Sequence, residues 1–463
     1  MPTVEKIVPT LDLTSIRAQF PSLSQTVNGH SAAFLDGPGG TQVPQRVIDA
    51  IANYLRRDNA NTGGAYATSR RTDTMIAEAR AAMADFLHCA ADEVAFGPNM
   101  TTLTYAMSRA IGRDFRPGDE IVLTRLDHDA NVSPWLAMAE DHGVTVRWAE
   151  IHDEDCTLDM ADFASKINSN TKLVAAGYAS NAVGTINPVK EIVRLAHAVG
   201  ALAYIDAVHY TPHGLIDVAA LDCDFLVCST YKFFGPHMGV LFGKREHLKR
   251  FHPYKVRPNT NAIPNCWEWG TLNHECIAGI AACVEYIADL GRGLTNGATN
   301  GLTDGTTSMR VPHPFDKLRA GSSRSSKGGN GEADTSGISE RRAAIEAAYA
   351  AIHEHERTLL ERIMTGLKKI PGLKIYGITD PARFDERCAT LAIRIPGHTP
   401  LELATQLGDR GFFTWDGNYY ALNLTEHLDV EKSGGFLRIG LAHYNTAEEV
   451  DRLLAALREI VGA

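Results

Sequence analysis

The chain has 463 residues, 44% hydrophobic and 22% charged, with 45 basic against 55 acidic side chains and a formal net charge of −10. This is ordinary globular composition, with material for two or three domains and a large core. The acidic balance and a pI near 6.0 exclude a nucleic-acid or anionic-membrane surface, and no run of eighteen apolar residues is present to span a membrane.

The stretch "MPTVEKIVPTLDLTSIRAQF" lacks a basic segment followed by an apolar one, so no signal peptide is expected. Eight cysteines lie scattered at 89, 156, 223, 228, 266, 276, 283 and 388. They read as reduced thiols of a cytoplasmic protein. With no CxxC pair or Cys/His zinc spacing among them, no metal is expected.

From about Ala95 to Gly243, short apolar runs alternate with longer helical ones. "EIVLTRL" (120–126) reads as a strand, and "SPWLAMAEDHG" (133–143) as a helix ending at Gly143. "VTVRWAEI" and "TKLVAAGYAS" are further strands, "VKEIVRLAHAVG" an amphipathic helix closed by Gly200, and "ALAYIDAVH" and "CDFLVCST" doubly buried strands. The alternation implies right-handed crossovers and a mostly parallel sheet covered by helices. Ligands of such sheets gather at the carboxyl ends of the strands, where Asn181, Asp206, His209 and Lys232 fall.

"HECIAGIAACVEYIADLG" (274–291) reads as a helix that stops at Gly291. Residues 291–340 turn Gly/Ser/Thr/Asn-rich with few apolar anchors, the composition of a flexible insertion. A long charged helix is expected from Ser339 to just before Pro371. "GLKIYGI", "CATLAIRIP", "TPLELATQLGDRG" and "FLRIGLAHYNTAEEVDRLLAALREI" then alternate strand and helix as a smaller α+β domain.

Several segments together suggest a pyridoxal phosphate site, which needs a lysine for the aldehyde, an acid opposite the ring nitrogen and neutral donors around the phosphate. In "YIDAVH", Asp206 supplies the acid; in "STYK", Lys232 supplies the amine. Ser229 and Tyr231, two positions apart, would share one side if extended and could both contact phosphate. "GPNMTTLTYAM" (97–107) is a loop entering a helix, where the free N–H groups of Met100 and Thr101 and a threonine hydroxyl would hold a dianion. "LDHDANVSPW" offers His128, a planar ring able to stack on the cofactor.

"FLDGPGGTQVP" (34–44), "DHDANVSPW" (127–135), "SNAVGTINPV" (180–189), "YIDAVHYTPHGLIDVAALDCDFLVCSTYKFFGP" (204–236), "WEWGT" (267–271) and "LRIGLAHYNTAEEVDRL" (437–453) carry a resemblance. The chain resembles the class V aminotransferase superfamily of fold-type I pyridoxal-phosphate enzymes, nearest its group II cysteine desulfurases and the cysteine desulfurase-like branch. The resemblance covers nearly everything except about 291–340. It implies an α/β fold in four parts: residues 1–30 joining the small domain, a large cofactor-binding domain over 31–290 with a mostly parallel seven-stranded sheet, the insertion 291–340, and a linking helix with the small domain over 341–463. Carried across, Lys232 would be the Schiff-base lysine and proton shuttle, and Asp206 would pair with the pyridine nitrogen. His128 would stack on the ring, and Asn181 would face the phenolic oxygen. Thr101, Ser229 and Tyr231 would hold the phosphate. Thr271 would reach the phosphate of a neighbouring subunit's cofactor, making the enzyme a homodimer. Arg438 would bind the substrate α-carboxylate, a bidentate task suited to guanidinium.

Three positions depart from the family pattern. His209 stands where desulfurases carry glutamine near the phenolic oxygen, and Tyr231 where they carry histidine before the lysine; both can still donate hydrogen bonds. The third departure falls in the loop that carries the sulfur-accepting thiol in group II desulfurases. Its match here is "FTWDGNYYA" (413–421), with Tyr420 at the cysteine's place. A phenol cannot become a persulfide. The expected activity is therefore C–S cleavage of cysteine or a related amino acid, with sulfide released directly or passed to another thiol, Cys266 being the native one to test. Transamination or epimerisation, with Tyr420 or His128 as acid/base partner, is the alternative, and a non-catalytic cofactor-binding protein a third.

Overall fold

The computed structural model describes residues 10–299 and 338–462. Its large sheet has seven strands, here β1 (Val94–Gly97), β2 (Glu120–Thr124), β3 (Thr145–Ala149), β4 (Thr171–Gly177), β5 (Leu202–Asp206), β6 (Phe225–Ser229) and β7 (Gly239–Gly243). Their order across the sheet is β1-β7-β6-β5-β4-β2-β3. β7 runs antiparallel to both neighbours and the other pairings are parallel. The central strands bury every residue from Leu173 to Gly177 and from Ala203 to Asp206, as a sheet covered on both faces requires. Register places Gly177 opposite Asp206 and Asp206 opposite Val227, so β4, β5 and β6 end together and their following loops converge on one cleft.

A second sheet, β8 (Lys374–Tyr376), β9 (Thr390–Arg394), β10 (Trp415–Gly417) and β11 (Phe436–Gly440), is antiparallel in the order β8-β9-β11-β10. Its apolar side chains, among them Leu391, Ile393, Leu437 and Ile439, pack with Leu403, Leu407, Leu453 and Leu457 of two flanking helices in a separate core. The amino-terminal segment is tied to this half. Arg17 donates to Tyr444 O at 2.7 Å and pairs with Glu449 at 2.9 Å, and Ala33–Phe34 pairs in parallel with Phe412–Phe413.

Helix α1 (Met100–Gly112) follows β1, and two long helices, α2 (His274–Thr299) and α3 (Glu340–Leu367), connect the halves. The expected stop at Gly291 is incorrect: α2 runs eight residues further, to Thr299. A Cβ on Gly291 would lie 1.8 Å from Ala344 O on α3. The glycine is thus a crossing point where two helix backbones touch. Ser339 begins α3 as expected, its Oγ accepting the Arg342 N–H at 3.0 Å. Of the expected insertion 291–340, the first nine residues are helical, and 300–337 lie outside the described residues. Among the described residues no helix is long and apolar enough to cross a membrane.

Candidate active site

The loops after β4, β5 and β6, with the start of α1 and the segment around His128, line a cleft of about 580 Å³. Met100, Thr101, His128, Asn181, Asp206, His209, Ser229, Tyr231 and Lys232 all contribute to its wall. Nine of the residues singled out from sequence thus meet in one place. Arg438, on β11, joins from the small sheet: its Nη1 donates to Asn181 O at 3.0 Å. Thr271 is exposed and does not line this chain's cleft.

Lys232 lies in a short turn, Thr230–Lys232, immediately after β6. Its Nζ donates to Pro38 O and sits 4.9 Å from the Tyr231 ring centre. Burial, and next the Arg438 cation, push the amine down to about 7 from its usual 10.5. The turn also corrects one expectation, since Ser229 and Tyr231 are not side by side on an extended strand. Tyr231 stacks on His237 with ring centres 4.9 Å apart, whereas the Ser229 hydroxyl accepts the Met100 N–H at 3.1 Å. The Met100 amide, expected to be free, therefore already has a partner.

Asp206 ends β5 with its carboxylate accepting only the Val208 N–H, at 2.8 Å. Burial pushes it up to about 7, and the nearby Asp127 carboxylate adds to the rise. The Lys232 charge opposes this rise only weakly, and among the described residues no ion pair reaches the carboxylate. Around it, Asn181 Oδ1 and both ring nitrogens of His209 are buried without partners. Asn181 Nδ2 donates to Tyr419 O at 2.9 Å. An acid without an ion pair, a desolvated amine and unpartnered polar atoms in one cleft fit a ring with a protonated nitrogen, an aldehyde and a phenolic oxygen.

His128 accepts the Ala130 N–H on Nδ1 at 3.0 Å, and burial drives the ring down to about 3. It is a neutral imidazole with its proton on Nε2. Tyr420 stacks on it with centres 5.4 Å apart, held at a positive φ of 61°. Its carbonyl accepts the Asp129 N–H at 2.7 Å, and its side chain is 70% exposed at the mouth. Arg438 packs over the Tyr419 ring at 4.1 Å and is only 3% exposed, with Nε unpartnered.

Two acids escaped the sequence reading although both sit in quoted motifs. Asp36, of "FLDGPGG", is half-buried beside Arg438 and Lys232 and raised to about 6, chiefly by desolvation. Asp127, also raised to about 6 by burial, accepts from Gly177 N, Thr124 Oγ1 and Asn131 Nδ2 and braces the cleft floor. Nothing in their spacing marks them, because each is recruited by chain segments distant in sequence.

All eight cysteines are free, and none lines the cleft. Cys266, the substitute thiol considered above, is buried in an apolar cluster with Trp267 and does not reach this chain's site. The cysteine and histidine spacings gave no expectation of a metal. The fold nevertheless gathers His209, His213 and Cys388, all buried, with ligand atoms within 4.8 Å of one another.

Comparison with known proteins gives a consistent placement. The family model for aminotransferase class-V matches residues 33–296 and 327–453. A cysteine desulfurase of Pectobacterium carotovorum subsp. carotovorum (strain PC1) is 31% identical over 461 residues, covering 96% of this chain and 97% of the relative. One from Dickeya dadantii (strain 3937) is 32% identical over 453 residues, covering 96% of each. The apo structure of a cysteine desulfurase from Thermococcus onnurineus NA1 superposes with a TM-score of 0.79 at 23% identity, over 98% of each chain, and supports the fold.

Proposed function

The chain belongs to the class-V aminotransferase family, and from that premise we propose that it cleaves the Cβ–S bond of cysteine or a cysteine-like amino acid, with Tyr420 rather than a thiol at the loop position that would take the sulfur. It is a pyridoxal-phosphate-dependent enzyme of the cysteine desulfurase-like kind. Bound pyridoxal phosphate supplies an electron sink that makes the substrate α-proton and its β-substituent labile. The chain's own side chains do the rest. Lys232 Nζ, neutral for a large fraction of molecules near pH 7, would hold the aldehyde end of the cofactor and would be the group that takes and returns the α-proton. Asp206 would accept from the protonated ring nitrogen, a cation that would offset the burial and the Asp127 charge that raise it. Asn181 and His209 would face the phenolic oxygen, where the His209 ring, kept uncharged by burial, would donate an N–H.

Thr101, Ser229 and Tyr231, with the amides at the start of α1, hold the phosphate. Rotation of the Ser229 hydroxyl releases the Met100 N–H for it. His128 would cover the ring face, and its Nε2–H would be a proton donor on the substrate side. Arg438 takes the α-carboxylate, for which its unpartnered Nε is the free donor. Thr271 serves the phosphate of a second copy, so the working unit is a homodimer. The exposed Tyr254, Val256 and Trp269 near it in sequence supply apolar surface for that contact.

One observation carries the proposal: Lys232, Asp206 and Arg438 converge on a cleft whose mouth presents Tyr420 and whose wall has no thiol. Sulfur then leaves by one of two balanced routes. Elimination converts cysteine and water to pyruvate, ammonia and sulfide; an added thiol instead takes the sulfur as its own persulfide and leaves alanine. The test is to offer each amino acid separately and assay sulfide, pyruvate, alanine and keto acids. The proposal expects sulfide or thiol-bound sulfur from cysteine or a close analogue, and keto acid without sulfur release from any substrate would sink it.

A further inference from the structure

We propose that His209, His213 and Cys388 form a binding site for a divalent zinc-like cation, clamping the turn after β5 to the segment that enters β9. His209 and His213 stand four residues apart in that turn. Cys388 arrives from the chain's last quarter, its N–H bonded to Gly184 O at 2.8 Å. The three ligand atoms lie within 4.8 Å of one another, and each residue is at most 5% exposed. Tetrahedral zinc with bonds of ~2.0–2.3 Å spaces nitrogen and sulfur ligands by roughly 3.5 Å, so closing on the ion takes about an ångström of side-chain movement.

The partnering of these groups points the same way. His213 Nδ1 is 2.7 Å from Glu356 Oε2 on α3, which leaves Nε2 buried with no partner; both nitrogens of His209 are likewise unpartnered. Buried imidazoles without partners are costly. A cation relieves this by accepting lone pairs, and a carboxylate on the far nitrogen is the arrangement that orients a metal-bound histidine. A second cleft, of about 440 Å³, is lined by His213, Cys388 and Glu356, with Asp385 and His353 beside them, and gives the ion its entry and a water its place as fourth ligand.

The charges balance tolerably. Arg387 and Arg357 also line this cleft and oppose a cation. Arg387 donates to the carbonyls of Val183, Ile378, Cys388 and Thr390; burial, and next the Glu356 carboxylate, push the Cys388 thiol well up with Arg387 only partly opposing, so the zinc ion itself must drive off the thiol proton. Zinc entry would displace the Cys388 proton to solvent, forming the Zn–S bond as the S–H bond breaks, with both imidazoles binding neutral and no change of oxidation state. His209 lines the cofactor cleft while one of its nitrogens lies within 4.8 Å of the His213 and Cys388 ligand atoms, so that nitrogen on zinc leaves the other a fixed N–H donor.

The experiment uses the full chain loaded with cofactor, stripped with chelator, desalted and titrated with zinc chloride or cobalt chloride; no turnover is measured, so the result is independent of the proposed reaction. One zinc per chain should be retained, and the cobalt-minus-zinc difference spectrum should show thiolate-to-metal charge transfer that disappears in Cys388→Ser. Glu356→Gln, which keeps the side chain's shape, should weaken zinc binding by ~10–100-fold with the cofactor absorption unchanged. Wild-type protein that retains no zinc, cobalt bound without that absorption, or zinc uptake equal in wild type, Cys388→Ser and His213→Gln would each overturn the site. If Cys388→Ser does not fold, the wild-type stoichiometry and spectrum decide alone.

Discussion

Lys232 must be neutral to attack the cofactor aldehyde, and the structure says how much of it is. At an ordinary pKa of 10.5 roughly one amine in three thousand is free at pH 7, whereas at about 7 roughly half are. Three charges near it push in opposite senses. The Arg438 cation lowers the value and the Asp206 and Asp36 carboxylates raise it, each secondary to burial. Arg438→Gln should therefore move the titration up, and Asp36→Asn should move it down, each by about one unit. The assay adds pyridoxal phosphate to cofactor-free protein across pH 5.5–10 and traps the attached cofactor with borohydride. Initial attachment is then read as a mass increase on the Lys232 peptide. Wild type should rise to a plateau with a midpoint near 7. A midpoint above about 9, or variants that shift the same way, would refute an electrostatically tuned amine.

Asp206 has the opposite sign. Its carboxyl rises from 3.8 unfolded to about 7 folded, so the cofactor-free protein binds the extra proton in that window and is penalised progressively as pH climbs through it. Asp206→Asn should thus raise the melting temperature of cofactor-free protein at pH 8 and change it little below pH 4, while weakening cofactor retention; equal effects at both pH values would contradict this. Gly291→Ala should cost about 1–3 kcal/mol in urea unfolding, because the new methyl meets the Ala344 carbonyl, and an unchanged midpoint would show that the helices can separate freely. Replacing residues 302–335 by a short glycine-serine linker should leave cofactor absorption and melting intact, because the family match skips 297–326 and loop closure depends weakly on length. Unfolding on deletion would show that the segment packs.

The strands and most helices were legible because apolar runs of five to seven residues between glycine and capping signals leave few alternatives. The Gly143 and Ser339 boundaries follow from local chemistry alone, an αL cap and a side-chain N-cap. Gly291 reads the same way locally and means something else, since a glycine at a helix crossing and one at a helix end differ only by what packs against them. The site divides along the same line. Asp206, Ser229 and Lys232 stand at strand ends, where topology makes function visible. Asp36, recruited from the amino-terminal segment, and the His209–His213–Cys388 group, drawn from segments about 175 residues apart, depend on tertiary placement.

The claim most exposed to measurement is that sulfur leaves without passing through an enzyme thiol. Cofactor-loaded protein should be given cysteine, first without and then with an added thiol, while sulfide, pyruvate and alanine are followed and the intact chain is weighed. The structure, with Tyr420 at the mouth and no cysteine on the cleft wall, predicts sulfide matched by pyruvate in the first case, alanine only in the second, and a chain mass unchanged in both. Rapid alanine formation with a stoichiometric 32-dalton gain on one cysteine (about one sulfur atom), abolished when that cysteine is replaced by alanine, would contradict it.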